Sequence, residues 1–174
     1  MNIAIIYGTT TGQTADVAQQ IKEQLGDLAA DPIEVDNFDL ATVGEYDALL
    51  LGIPTWDVGE MQYDWDMVAD DFAGADLAGK TIALFGCGDQ GAYADTFGDA
   101  LGLLWDKLEP SGPKLVGRWS TDGYDYDASV GVREGKFLGL MCDQDCQPEL
   151  TEERIRRWCE QLKAELEGAE VAAA

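Results

Sequence analysis

The chain has 174 residues, 34 Asp and Glu against 11 Lys and Arg, and a formal net charge of −23 with no His. That length suits one domain, and that charge argues against nucleic acid and anionic membrane as partners, because both repel an acidic surface. The absent His removes Ser/His/Asp triads, Cys/His pairs and His-ligated metals, while 46% hydrophobic residues and five Trp are too many for a disordered acidic tract.

The first apolar run, Ile3–Tyr7, carries neither the basic region nor the small-residue cleavage site of a signal peptide. Val17, Ala18, Ile21 and Leu25 follow at helical spacing. Ile33 and Val35 alternate with Glu34 and Asp36, the pattern of an edge strand with one wet face. Ala48–Ile53 is a continuous apolar run, as in a strand buried on both faces. Trp65, Val68 and Phe72 mark a second helix, and Thr81–Phe85 another buried strand. Phe97, Ala100, Leu101, Leu104, Trp105 and Leu108 form the strongest helical stripe. Leu115-Val116 and Phe137–Leu140 read as one last strand, interrupted by a Gly-, Asp- and Tyr-rich excursion at about 119–136. Ile155, Trp158, Cys159, Leu162 and Leu166 mark the final helix, with Thr151 as N-cap and Glu152 and Glu153 in its first turn. A single domain over 1–168 is expected, followed by a disordered tail at 169–174.

Strands alternating with helices imply right-handed crossovers and a doubly wound α/β domain, a parallel sheet with helices on both faces. No apolar run approaches the roughly 20 residues of a membrane span. The four cysteines, at 87, 142, 146 and 159, form no CxxC pair. Cys142 and Cys146 flank an acidic turn and read as a weak metal or redox pair, or as ordinary reduced thiols of a cytoplasmic protein.

In such a sheet the ligand crevice lies beyond the carboxyl ends of the strands. The three richest turns all follow strands: Gly8–Thr14, Pro54–Glu60 and Gly86–Tyr93. The first offers hydroxyls at Thr9, Thr10, Thr11 and Thr14, the amide of Gln13 and backbone N–H groups at the mouth of a helix. That is the chemistry of a phosphate nest or, without a ligand, of a Thr-rich helix cap. It is neither GxGxxG nor a GKS/T loop, and it carries no cation. Trp56 and Tyr93, on the other two turns, either face a planar ring or anchor their own loops.

Five segments in order resemble the flavodoxins, small electron carriers that contain flavin mononucleotide (FMN). They are Tyr7-Gly-Thr-Thr-Thr-Gly-Gln-Thr14, Gly52-Ile-Pro-Thr-Trp-Asp-Val-Gly-Glu60, Phe85-Gly-Cys-Gly-Asp-Gln-Gly-Ala-Tyr-Ala-Asp95, Trp119-Ser-Thr-Asp-Gly-Tyr124 and Gly135-Lys-Phe-Leu-Gly-Leu140. The likeness covers about residues 2–167, and the interrupted last strand resembles the insertion of long-chain members. It implies a flavodoxin-like three-layer sandwich whose five-stranded parallel sheet has the order 2-1-3-4-5. By the same resemblance, Thr9, Thr10, Thr11, Gly12, Gln13 and Thr14 would hold the FMN phosphate. Pro54, Thr55 and Asp145 would lie along the ribityl chain, and Trp56 and Tyr93 would sandwich the isoalloxazine. The backbone of Asp57, Val58, Gly59, Cys87, Gly88 and Asp89 would reach the polar edge of the ring. Gln13 stands where many relatives have Lys, and Cys87 where small or hydroxyl residues are frequent.

The implied function is non-enzymatic: a low-potential one-electron carrier, cycling mainly between neutral semiquinone and anionic hydroquinone. Its expected partners are basic redox proteins, reductases and low-potential acceptor enzymes, met by a monomer in transient complexes. The alternative on the same fold is an FMN-dependent NAD(P)H:quinone reductase. A phosphoacceptor receiver lacks its acidic cluster, since Gly-Thr-Thr-Thr follows the first strand. The excess acidity reads as partner steering or as adaptation to a saline cytoplasm, and the excursion as a solvated loop or a docking loop.

Overall fold

The computed structural model describes residues 1–173, with side chains to residue 168. Strand β1 (Ile3–Tyr7) leads into helix α1 (Gln13–Leu25), and a short β2 (Ile33–Glu34) precedes β3 (Ala48–Gly52). The hairpin of β4 (Thr55–Trp56) and β5 (Glu60–Met61) leads to α2 (Tyr63–Gly74), then β6 (Thr81–Cys87) and α3 (Asp99–Leu108). Beyond these come β7 (Lys114–Val116), β8 (Trp119–Ser120), β9 (Val132–Arg133), β10 (Lys136–Phe137), β11 (Gly139–Cys142) and α4 (Thr151–Ala173).

The main sheet is parallel, in the order β11-β6-β3-β1-β2, with β7 also paired to β6. Its centre is β3, whose Leu49, Leu50 and Leu51 are fully buried because helices cover both faces. Helix α1 packs with α4 in one layer and α2 with α3 in the other. Each helix turns its apolar stripe inward, for example Val17, Ala18, Ile21 and Leu25 of α1 and Ile155, Trp158, Leu162 and Leu166 of α4. Trp65 and Trp158 are fully buried, and each indole N–H donates at 2.7 Å to a strand-end carbonyl, Gly52 O and Gly117 O respectively. These bonds satisfy the polar edge of two large core side chains.

The last strand is broken as the sequence implies, and the register shows how. Val116 of β7 pairs with Ala83, and Gly139 of β11 with Leu84, the next residue of β6. The chain therefore leaves after one rung and returns on the next, so the excursion spans 117–138. Its ends form a small antiparallel sheet, β8-β10-β9.

Three expectations are corrected. Phe97 matches the stripe of α3 but lies before it, because Gly98 at φ +74 separates the two; its ring packs on the excursion instead. Thr151 is the first helical residue of α4, entered directly from a 3-10 turn at Pro148–Leu150, and its buried hydroxyl has no partner among the described residues. The edge strand ends at Glu34, and Val35 begins a 3-10 turn. Helix α4 runs to Ala173, and Ala174 lies outside the described residues.

Candidate functional site

Because β1 and β3 are neighbours and β2 lies outside β1, the loops leaving β1 and β3 diverge at this point of the sheet. In the loop after β1, Gly12 holds φ +91, a conformation open to glycine, and turns the chain into α1. Thr9 Oγ1 accepts from Gly12 N at 3.0 Å. Among the described residues, nothing accepts from the amides of Thr10, Thr11, Gln13 or Thr14, so a row of N–H donors stands at the positive end of a 13-residue helix. Buried Gln62 fixes this loop from below, its amide donating to Thr9 O at 3.3 Å and to Thr10 Oγ1 at 3.4 Å.

The loop after β3 is the β4–β5 hairpin, with Asp57, Val58 and Gly59 at its tip. Asp57 holds φ +44 and Gly59 φ +86, which closes the turn in three residues. Val58 is 79% exposed. Thr55 Oγ1 accepts from Ala100 N at 3.1 Å, so the hairpin is seated on the start of α3. Trp56 is half-buried, its indole N–H without a partner among the described residues.

A single carboxylate organises the other two loops. Asp143, fully buried, accepts from Gln90 N at 3.0 Å, from Cys146 N at 2.8 Å and from Asp145 N at 3.1 Å. Asp89 in turn accepts from Gly91 N and Ala92 N, at 2.9 and 2.8 Å, and shapes the turn that presents Tyr93. Across the opening, Gln13 Nε2 donates to the Asp145 carboxylate at 3.4 Å.

These four loops enclose a cleft of about 230 Å³. Of the residues singled out in the sequence, Thr9, Thr10, Thr11, Gln13, Thr14, Pro54, Thr55, Trp56, Asp57, Cys87, Gly88, Asp89, Tyr93 and Asp145 line it. Gly12 steers the helix without lining the cleft, Val58 points to solvent, and Gly59 packs against Asp99. The lining holds three carboxylates, Asp57, Asp89 and Asp145, and no Lys or Arg.

Burial pushes the Cys87 thiol up to about 12, against a hydrogen bond with Thr14 that acts the other way. Cys142, its register partner on β11, is raised for the same reason, so both are thiols at neutral pH. Cys146 is exposed and donates to Asp89 Oδ1 at 3.4 Å. All four cysteines are free. Ligand atoms of Asp89, Asp143 and Cys146 come within 4.8 Å of one another, but backbone amides already occupy those carboxylates, so the group is a set of turn caps.

The sequence reading missed Gln62, Gln90, Asp99 and Asp143. Asp143 carried a local signal, an Asp two residues before another polar turn residue. Gln62 also caps α2 through Trp65 N, but its hold on Thr9, like the bonds of Gln90 to Asp143 and of Asp99 to Val130, spans 31 to 53 residues and carried none.

The family model for flavodoxin matches residues 5–158. The chain belongs to the flavodoxin family. A flavodoxin of Picosynechococcus is 48% identical over 164 residues, covering 92% of this chain and 95% of the relative. Flavodoxin 1 of Escherichia coli is 46% identical over 163 residues, covering 93% of each. Among solved structures, a Fusobacterium nucleatum flavodoxin bound to flavin mononucleotide superposes with a TM-score of 0.88 at 33% identity, over 94% of this chain and 98% of that one. An oxidised flavodoxin 2 from Bacillus cereus, 22% identical with a TM-score of 0.67 over 95% of this chain and 99% of that one, shares the fold. No helix among the described residues is long and apolar enough to cross a membrane.

Proposed function

We propose that this flavodoxin binds FMN non-covalently in the cleft and works as a low-potential one-electron carrier between redox proteins, without an enzymatic activity of its own. The observation that carries the reading is the row of unpaired amides at Thr10, Thr11, Gln13 and Thr14 in a cleft that also holds Trp56 and Tyr93. These residues fit the group chemically. A phosphate dianion needs several N–H and O–H donors where no cation is offered, and a planar ring needs an apolar slot with two aromatic walls.

In this reading the loop Thr9, Thr10, Thr11, Gly12, Gln13 and Thr14 holds the phosphate, and Pro54, Thr55 and Asp145 flank the ribityl chain. Trp56 and Tyr93 cover the ring, and the backbone of Asp57, Val58, Gly59, Cys87, Gly88 and Asp89 serves its polar edge. Bound FMN supplies the one-electron chemistry; the protein sets how readily a further negative charge is accepted. Asp57, Asp89 and Asp145 oppose such a charge, each by roughly 1–2 kcal/mol at about 10 Å with an effective dielectric near 20. The loops bounding the cleft carry no Lys or Arg to offset them. A low lower potential follows.

The same acidity favours basic partners in transient, salt-sensitive complexes, and we place the carrier in the cytoplasm as a monomer whose thiols stay reduced. The test is the visible absorbance of the purified protein and calorimetric titration of the FMN-free form. A yellow protein, tight stoichiometric uptake of FMN and negligible NAD(P)H oxidation are expected. A colourless chain that takes up no added FMN overturns the reading.

A further inference from the structure

We infer that Asp99 is a positioning residue that relays the backbone of the excursion to the hairpin tip at the cleft, an inference that rests on the FMN reading for its consequence but not for its geometry. Asp99 begins α3 and is 9% exposed. One carboxylate oxygen, Oδ1, accepts from Val130 N of the excursion at 2.7 Å. The other faces Gly59 of the hairpin so closely that a methyl group there would stand 2.7 Å from Oδ2. Gly59 also holds φ +86, so neither a side chain nor an ordinary backbone conformation fits that position.

The excursion is held against this region along its length. Asp125 N donates to Gln90 Oε1 at 2.6 Å, and Asp127 N and Ala128 N donate to Ala94 O at 2.9 and 3.1 Å. At Gly102 the approach is so close that a methyl group would overlap the Val130 carbonyl oxygen. Four backbone amides of the excursion thus grip the segment from Gln90 to Asp99, and the second oxygen of Asp99 lies against Gly59 of the hairpin. Its burial raises the carboxyl above the usual aspartate range, while the Val130 amide opposes that rise, as a carboxylate held by one neutral donor behind a loop would show.

The experiment compares Asp99→Ala with Asp99→Asn, which remove the same charge, while only Asn keeps an oxygen for Val130 N. Hydrogen exchange is measured on the FMN-free protein at the amides of residues 57–60, and FMN affinity by calorimetry. Asp99→Ala is expected to speed exchange there and weaken FMN binding, each about tenfold, the upper end of what one ordinary hydrogen bond contributes. Asp99→Asn is expected to stay within about threefold of the wild type in both. Gly102→Ala, which displaces Val130 from a site outside the cleft, should reproduce the faster exchange and add little to Asp99→Ala. Equal exchange in the Ala and Asn variants, or additive effects with Gly102→Ala, overturns the relay. Because the exchange measurement needs no FMN, it decides the relay even for a chain that fails to take up the cofactor.

Discussion

The two loops that bracket the cleft are built in opposite ways. The loop from Gly8 to Thr14 is made locally: a glycine at φ +91, three successive threonines and the first turn of α1 place its donors. Its long-range ties are few: Gln62 below it, Gly8 N donating to Gly52 O at 3.0 Å, and Gln13 Nε2 reaching Asp145 at 3.4 Å. The loop from Gly88 to Gly98 has two short local turns, one at Asp89 and a 3-10 turn at Ala94–Thr96, and is otherwise fixed from outside. It is held by Asp143 through Gln90 N, by the excursion amides and by the rings of Tyr124, Tyr126 and Phe137 around Phe97, at 5.7–5.9 Å. In the proposed reading the first loop holds a phosphate, which needs aimed dipoles that a helix terminus supplies by itself. A loop that places an aromatic wall needs support from elsewhere, because a single exposed turn cannot pay the entropy of fixing a large side chain.

The largest way to break this contrast is Phe97→Ala. Phe97 is 1% exposed at the centre of the aromatic cluster, and its loss is expected to lower stability by about 3–5 kcal/mol in urea unfolding of the FMN-free protein. The amides of α1 should keep their exchange protection relative to the global value, since that region does not rest on the cluster.

Thr14→Ala probes the other loop. Thr14 is 1% exposed and lines the cleft. It is expected to weaken FMN binding by about 1–3 kcal/mol by calorimetry while shifting unfolding much less. A large fall in stability with unchanged FMN affinity would assign the hydroxyl to packing and remove the contrast.

A smaller effect sharpens the account of Asp99. Burial raises its folded-state carboxyl above the ordinary aspartate range, so the native state holds the Asp99 proton more tightly than the unfolded chain does. The stability this contributes is full below the ordinary aspartate range and is lost as pH rises through the raised folded value. Wild type minus Asp99→Asn, in unfolding free energy, should therefore fall as pH rises from acid to neutral. A difference that grows with pH has the wrong sign for a buried carboxylate.

The smallest expected effect is that of salt. Raising ionic strength from 0.01 to 1 M shortens the screening length from about 30 to about 3 Å. Repulsion from Asp57, Asp89 and Asp145 is then muted, so FMN binding should tighten on the order of threefold and the lower potential should rise. Unchanged values across that range would remove the acidic rim from the account of the potential.

Much of the fold was legible because its signals are local. Ile3–Tyr7, Ala48–Ile53 and Thr81–Phe85 read as strands from runs of apolar residues, against observed strands at Ile3–Tyr7, Ala48–Gly52 and Thr81–Cys87, and α1 and α4 from their stripes. Where two signals coincided the reading failed. Phe97 fits the period of α3, yet Gly98 already ends that helix on its N-terminal side, and only the structure shows the ring turned toward Tyr124 and Phe137. Thr151 has the chemistry of an N-cap, but the 3-10 turn before it imposes helical backbone and buries the hydroxyl.

What the sequence determined alone is the doubly wound order of elements and the donor-rich loop at Gly8–Thr14, because hydrophobic period and turn chemistry act over a few residues. The net charge of −23 and the absence of any cation from the cleft loops also follow from the sequence alone. What only the tertiary structure decided is how the excursion bears on the cleft. Asp99 joins Val130 to Gly59 across 31 and 40 positions, and Gln90 joins Asp125 and Asp143 across 35 and 53. Contacts at such separations leave no period in a sequence. They arise when two surfaces meet with matched shape and a buried polar atom finds its one partner there.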